Sequence, residues 1–162
     1  MISIRLIGQP RLVRDGVPIP GPRGAKCWAL LARIVRSPDP VSRQQLVNEL
    51  FSEADDPMGA LRWGLAELRR RLGMPDALRG NPISLDLETG TEIDVDSIAA
   101  GVLPDPLPHG VLLEGIDVHA SPAYETWLLV ERQRVAGEML GLLRRGALRA
   151  LSAHDYGRAL EL

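Results

Sequence analysis

Residues 57–73 read Pro57-Met58-Gly59-Ala60-Leu61-Arg62-Trp63-Gly64-Leu65-Ala66-Glu67-Leu68-Arg69-Arg70-Arg71-Leu72-Gly73. Leu61, Leu65, Leu68 and Leu72 recur at the i, i+4, i+7, i+11 spacing that lays one apolar stripe along an α-helix. Asp56 before Pro57 supplies an N-cap and an N1 proline, while Gly73 and Pro75 end the helix. The remaining faces carry Arg62, Trp63, Glu67, Arg69, Arg70 and Arg71. Such a helix buries its leucines and offers a cationic surface, and a helix of this diameter fits the major groove of duplex DNA, where arginine pairs with guanine edges.

Upstream of this helix, Ser42-Arg43-Gln44-Gln45 has the form of a capping box, with Ser42 accepting from a free backbone N–H and Gln45 reaching back. Leu46, Val47, Leu50 and Phe51 then form the apolar face of a second helix. From Arg23 to about Arg36 helical spacing returns, with Trp28, Leu31, Ala32 and Val35 on one face and Lys26, Arg33 and Arg36 away from it. At the start of the chain Ile2, Ile4 and Leu6 alternate with polar residues, Leu12 and Val13 come next, and Asp15-Gly16 is a two-residue hairpin signal before Val17 and Ile19. This predicts a small antiparallel sheet ended by Pro20, Gly21 and Pro22.

Downstream, Leu78-Arg79, the turn Gly80-Asn81-Pro82 and Ile83 to Leu87 predict a second short hairpin. Residues 91–100 close the unit, and Asp94 and Asp96 alternate with Val95 as on a solvated strand. Pro104, Pro106 and Pro108 stiffen the stretch after Gly101. The expected organisation is a domain over residues 1–100, a linker over 101–122, and a helical segment over 123–162. In the last segment a long helical pattern runs through Trp127, Leu128, Val135, Met139, Leu142 and Leu143, and Asp155 opens another helix.

The composition agrees with a folded chain, since 45% of the 162 residues are hydrophobic and 25% charged. No apolar run approaches the ~20 residues of a membrane span, and Met1 leads straight into Ile-Ser-Ile-Arg-Leu, so the expected setting is the cytoplasm with no membrane partner. Net charge is −2, yet residues 1–80 hold 13 Lys+Arg against 8 Asp+Glu while residues 81–162 hold 6 against 13. The basic half is the one able to meet a polyanion. The single cysteine, Cys27, has no partner for a disulfide or a zinc cluster. His109, His119 and His154 are scattered, no glycine-rich phosphate loop comes after a strand, and no nucleophile stands beside a base. The expectation is a protein that is not an enzyme and holds no cofactor or metal.

The order sheet, three helices, hairpin resembles the winged helix of response-regulator effector domains. More closely, Arg11-Leu12-Val13-Arg14-Asp15-Gly16, Trp28-Ala29-Leu30-Leu31-Ala32, Val41-Ser42-Arg43-Gln44-Gln45-Leu46 and Leu65 to Gly73 resemble the antibiotic-regulatory-protein (SARP) type of bacterial transcriptional activator. That family joins its winged helix to a tetratricopeptide-like activation domain. Leu112-Leu113-Glu114-Gly115, Trp127, Glu131-Arg132 and His154-Asp155-Tyr156 are similar to the opening of that domain, which here stops after about one helix and part of a second. Ala66 and Glu67 stand where the family often has polar or basic residues, and Pro82-Ile83 replaces a glycine-aromatic pair.

The fold class implied is α+β: a winged helix-turn-helix with an N-terminal antiparallel sheet, followed by an all-α segment. The implied function is a transcriptional regulator that reads promoter DNA with its third helix and contacts RNA polymerase. Candidate DNA-binding residues are Arg43 beside the cap and Arg62, Glu67, Arg69, Arg70 and Arg71 on the third helix, with Arg79 on the wing and Lys26 weaker. Arg62 is placed for a base edge, and Arg70 and Arg71 for the backbone. Glu67 could accept from a cytosine amine, but an internal pairing with Arg70 or Arg71 is the favoured reading. Trp63 reads as a half-buried residue on the helix flank. The other class of function is a winged helix serving as a protein-interaction module without sequence-specific DNA binding, which Ala66 and Glu67 would permit. The apolar residues of the long helix call for a partner, so it should dock on the first domain or support self-association.

Overall fold

A computed structural model describes residues 1–162. Strands β1 (Ile2–Arg5), β2 (Arg11–Arg14) and β3 (Val17–Ile19) form an antiparallel meander in which Ile4 lies opposite Leu12. Asp15 and Gly16 both take positive φ, 50° and 81°, as the tight turn between β2 and β3 demands.

Beyond this meander the sheet departs from the all-antiparallel expectation. Strand β4 (Glu92–Ile93) pairs in parallel with the other edge of β1, giving a mixed sheet of order β3-β2-β1-β4. The physical cause is Asp94, which sequence alternation assigns to a solvated strand. It is instead buried at the start of helix α4 (Asp94–Ala99), and its carboxylate accepts from the backbone N–H of Leu6 at 2.9 Å and of Ile7 at 3.0 Å. One side chain thereby satisfies the main chain where β1 ends. Burial pushes its pKa up despite these donors.

Helix α1 (Ala25–Val35) is buried all round from Cys27 to Val35, including Arg33. Helix α2 (Arg43–Leu46) widens into a π-type turn over Val47–Phe51. Ser42 accepts from the Gln45 N–H at 3.1 Å as predicted, but the Gln45 amide donates forward to Glu49 at 2.9 Å instead of reaching back. Helix α3 (Pro57–Leu72) has the predicted bounds: Asp56 accepts from the Gly59 N–H, Gly73 closes it in the left-handed conformation, and Leu61, Leu65, Leu68 and Leu72 are all buried. The expected hairpin over 78–87 is reduced to two single bridges, Arg79 with Ser84 and Val41 with Ile83. Pro82 has no N–H to extend a ladder across that turn.

Residues 101–122 run back along the first part of the chain. Leu112 and Leu113 are buried, Leu112 bridges to Ile7, and the Leu113 N–H donates to Leu6. Helix α5 (Pro122–Ser152) then runs beside α1, with Tyr124, Trp127 and Glu131 meeting Ala29, Arg33 and Arg36 in turn, and α6 (Tyr156–Glu161) comes after it. Tyr124, Leu128, Val135 and Leu142 belong to the same 35-residue hydrophobic core as the leucines of α3, so the long helix docks on the first part of the chain. The Tyr124 hydroxyl donates to the Ala29 carbonyl at 3.1 Å, satisfying a polar group that burial would otherwise strand. No helix is long and apolar enough to cross a membrane.

Arg33 and Arg36, expected to face water, are turned inward at this junction. Arg36 is only 7% exposed and donates to Glu131 at 3.0 Å and Glu138 at 3.2 Å of α5. Arg33 pairs with Glu49 at 2.7 Å and stacks over Trp127 at 5.0 Å. Their carboxylate partners replace water in a place that helical spacing alone assigns to solvent.

Candidate nucleic-acid interface

One exposed flank of α3 carries Arg62, Ala66 and the partly exposed Arg69 at i, i+4, i+7, on a stripe about a quarter turn round from the leucines. Ala66 keeps the middle of that stripe low, so a flat or grooved partner can approach the helix backbone between two guanidinium groups. Arg62 projects from the N-terminal half, 63% exposed, with Asp56 the nearest carboxylate at 3.7 Å. Its contact with Asp56 is long and solvated, and so weakly held.

Arg69 meets two arginines from other elements. Its guanidinium donates to the Leu78 carbonyl at 3.2 Å, Arg43 donates to the Gly80 carbonyl at 2.8 Å, and Arg79 donates to the Pro75 carbonyl at 2.9 Å. All three are anchored on carbonyls between residues 75 and 80. Partial burial and the repulsion of Arg79 and Arg43 push the Arg69 pKa down, as expected for cations held close together. Each anchoring contact uses part of a guanidinium's five donors. Asp76 pairs with Arg79 at 3.1 Å, but both are exposed. The Gly80-Asn81-Pro82 turn is itself pinned to α2 by a residue that sequence reasoning missed: the Asn81 side chain accepts from the Arg43 N–H at 3.0 Å. An Asn in a Gly-Asn-Pro turn signals the turn, and nothing local signals its distant partner.

Glu67 lies away from this surface. Its carboxylate is 2% exposed and accepts from Arg70, from Arg71 Nε at 2.9 Å and from the Arg23 N–H at 3.1 Å. The hydrogen bond from Arg70, then that from Arg71, holds its pKa down at about 2. This is the internal pairing that the helical spacing favours, and it draws Arg71 to 20% exposure while Arg70 stays 62% exposed. The candidate residues thus fall into three groups: Arg43, Arg69 and Arg79 around the 75–80 carbonyls, Arg62 alone on the same side of α3, and Arg70 and Arg71 around Glu67. Lys26 extends elsewhere, over the Phe51 ring at 5.7 Å. Trp63, read as half-buried, is 55% exposed. No three His, Cys, Asp or Glu side chains converge as metal ligands.

No protein-family model matches the chain, and no curated protein matches it. Among solved structures, Mycobacterium tuberculosis EmbR in complex with a low-affinity phosphopeptide superposes on 95% of this chain with a TM-score of 0.64 and 16% identity. The chain has an EmbR-like fold. It spans 46% of the EmbR chain, so about half of that protein has no counterpart here. The identity supports a likeness of fold, and the phosphopeptide is a ligand of EmbR.

Proposed function

We propose that this chain is the DNA-binding part of a SARP-type bacterial transcriptional regulator, with a winged helix-turn-helix that lays α3 in the major groove of promoter DNA. The observation that carries this reading is the convergence of Arg43 of α2, Arg69 on the exposed stripe of α3 and Arg79 of the loop after α3 on one surface. Three anchored guanidiniums with unused donors suit phosphate oxygens on both sides of a groove. Arg62 on the same stripe reaches a base edge, with Ala66 clearing the approach. Arg70 and Arg71, engaged with Glu67, have a structural role first. The EmbR-like fold and the family resemblance of the α2 and α3 sequences support the same reading.

By that resemblance, α5 and α6 open a helical domain that meets RNA polymerase. Binding to a randomised duplex pool, followed by a salt titration of the best sequence, tests the DNA reading. Affinity should fall steeply with salt, since each phosphate contact releases counterions. A shallow slope, or no enrichment of any sequence by the folded chain, would refute it.

A further inference from the structure

Trp63 holds a place on α3 that neither the packing of the chain nor the arginine groups account for. At 3.6 residues per turn, the line directly opposite Leu61, Leu65, Leu68 and Leu72 runs through Trp63, so this residue heads away from the core. Its side chain is 55% exposed, although a ring of this size gains a great deal from burial. It borders a shallow surface depression that has Ala60 and Phe51 in its walls. Neither ring pair of the molecule, Tyr124 with Trp127 and His154 with Tyr156, includes it. Ala66, one turn on, is exposed beside it and adds a methyl group to the same apolar patch.

The rim of this patch selects its partner. Arg62, just before Trp63, is 63% exposed, Arg70, two turns beyond it, is 62% exposed, and Arg69 lies on the Ala66 side. The one acidic residue between Pro57 and Leu72 is Glu67, which is buried and turned to Arg70, Arg71 and the Arg23 main chain. Helix α3 therefore presents an apolar centre edged by cations and no free carboxylate. That arrangement suits a polyanion with an apolar spot in it, and the thymine methyl is the apolar group that the major groove of DNA displays. A residue directly opposite the core reaches deepest when a helix lies in a groove. Arg62, on the flank, has the length to meet a base edge from the side.

We propose, resting on the DNA reading above, that Trp63 and Ala66 read thymine methyl groups at the floor of the groove, next to the base pair that Arg62 meets. Arg62 and Ala66 stand about 6 Å apart along the helix axis, which spans about two base pairs, so a thymine belongs about that far from the Arg62 guanine. The test replaces each thymine of the best selected duplex in turn by deoxyuridine, which removes the methyl and keeps every hydrogen-bonding group and charge. Binding of the whole chain is followed by fluorescence anisotropy. One or two positions should lose about fourfold in affinity, the factor for one buried carbon group. Trp63→Ala should weaken the parent duplex, abolish the difference between thymine and uracil at one of these positions, and leave the salt slope unchanged because no phosphate contact is lost. Ala66→Ser should do the same at a neighbouring position and serves alone if the tryptophan variant fails to fold. Failure of every duplex to be enriched would sink the DNA reading and this inference with it. A selected site that tolerates deoxyuridine at each thymine, or a uracil penalty kept in full by the folded variants, would overturn the methyl contact alone.

Discussion

Arg36→Met removes the guanidinium that ties α1 to α5 while keeping most of the side chain's apolar volume. In the native protein this group is 7% exposed and meets Glu131, itself 3% exposed, at 3.0 Å and the more exposed Glu138 at 3.2 Å. Removing one partner of a buried pair costs about 3–5 kcal/mol because the other charge stays buried and unpaired. Glu131 retains Arg134 at 2.9 Å, and Glu138 is 29% exposed and can turn to water, so the low end applies, about 3 kcal/mol. For a chain of this size that corresponds to a melting temperature lowered by roughly 6–12 °C. Adding Glu131→Gln to Arg36→Met removes the stranded charge and should recover much of the loss, so the double-variant cycle has a large coupling. Urea unfolding followed by circular dichroism gives the free energies, and limited proteolysis shows whether cleavage concentrates in α5. A loss under about 1 kcal/mol, or strictly additive variants, would mean that this pair does not hold the long helix in place.

Leu68→Ala should destabilise the chain by ~2–5 kcal/mol, since Leu68 is 1% exposed in the middle of the α3 stripe; a thermal melt no lower than that of Arg70→Ala would place the stripe outside the core. The Glu67 carboxylate is held down at about 2 from an ordinary value of 4.5, so the stability it contributes is complete above pH 4.5 and is lost as pH falls toward 2. The gap in melting temperature between wild type and Glu67→Gln should therefore be widest near neutrality and narrow through that window, and a constant gap would contradict it. Arg62→Ala should cost ~1–3 kcal/mol on the best duplex and relax preference at one base pair, whereas Arg79→Ala should weaken all duplexes alike and lower the salt slope by about one. Arg71→Ala should lower the melting temperature more than it lowers DNA affinity, and anisotropy at several salt concentrations separates these cases.

What the sequence shows of this fold, it shows through local regularities. The leucines of α3 are legible because one helix supplies the whole pattern, and the Asp15-Gly16 turn because the backbone itself demands those residues. Glu67 is partly legible: Arg70 and Arg71 stand three and four positions on, within reach on any helix. Its burial is not, since that depends on the Arg23 main chain in another element. Arg33 and Arg36 are misread because charge at a helix flank reads as solvent, and their partners Glu49, Glu131 and Glu138 lie far along the chain. Strand β4 escapes notice because two residues cannot show an alternation, and Asp94 finds its role only once Leu6 and Ile7 arrive beside it. Of the candidate site, the arginines are visible one by one, but their grouping depends on carbonyls at residues 75–80 that no side-chain pattern records.

These long-range pairs bear on how the arginine surface is held. Glu49 stands between its two ends: its carboxylate accepts from Arg33 of α1 and from Gln45 of α2, while its carbonyl accepts from the Ser121 N–H that precedes α5. Arg33 in turn lies against Trp127 of α5. Helix α2, which presents Arg43 to the Gly80 carbonyl, is therefore fixed to α1 and α5 through the same glutamate. Cutting the chain after residue 100 would remove Ser121 and Trp127 from this junction, take Tyr124 off the Ala29 carbonyl, and leave Arg36 without Glu131 or Glu138. An apolar face uncovered to water and a junction stripped of its ion pairs would then bear on the helix that carries Arg43. Weak DNA binding by such a fragment would report a damaged fold, and the recognition surface has to be assayed in the whole chain.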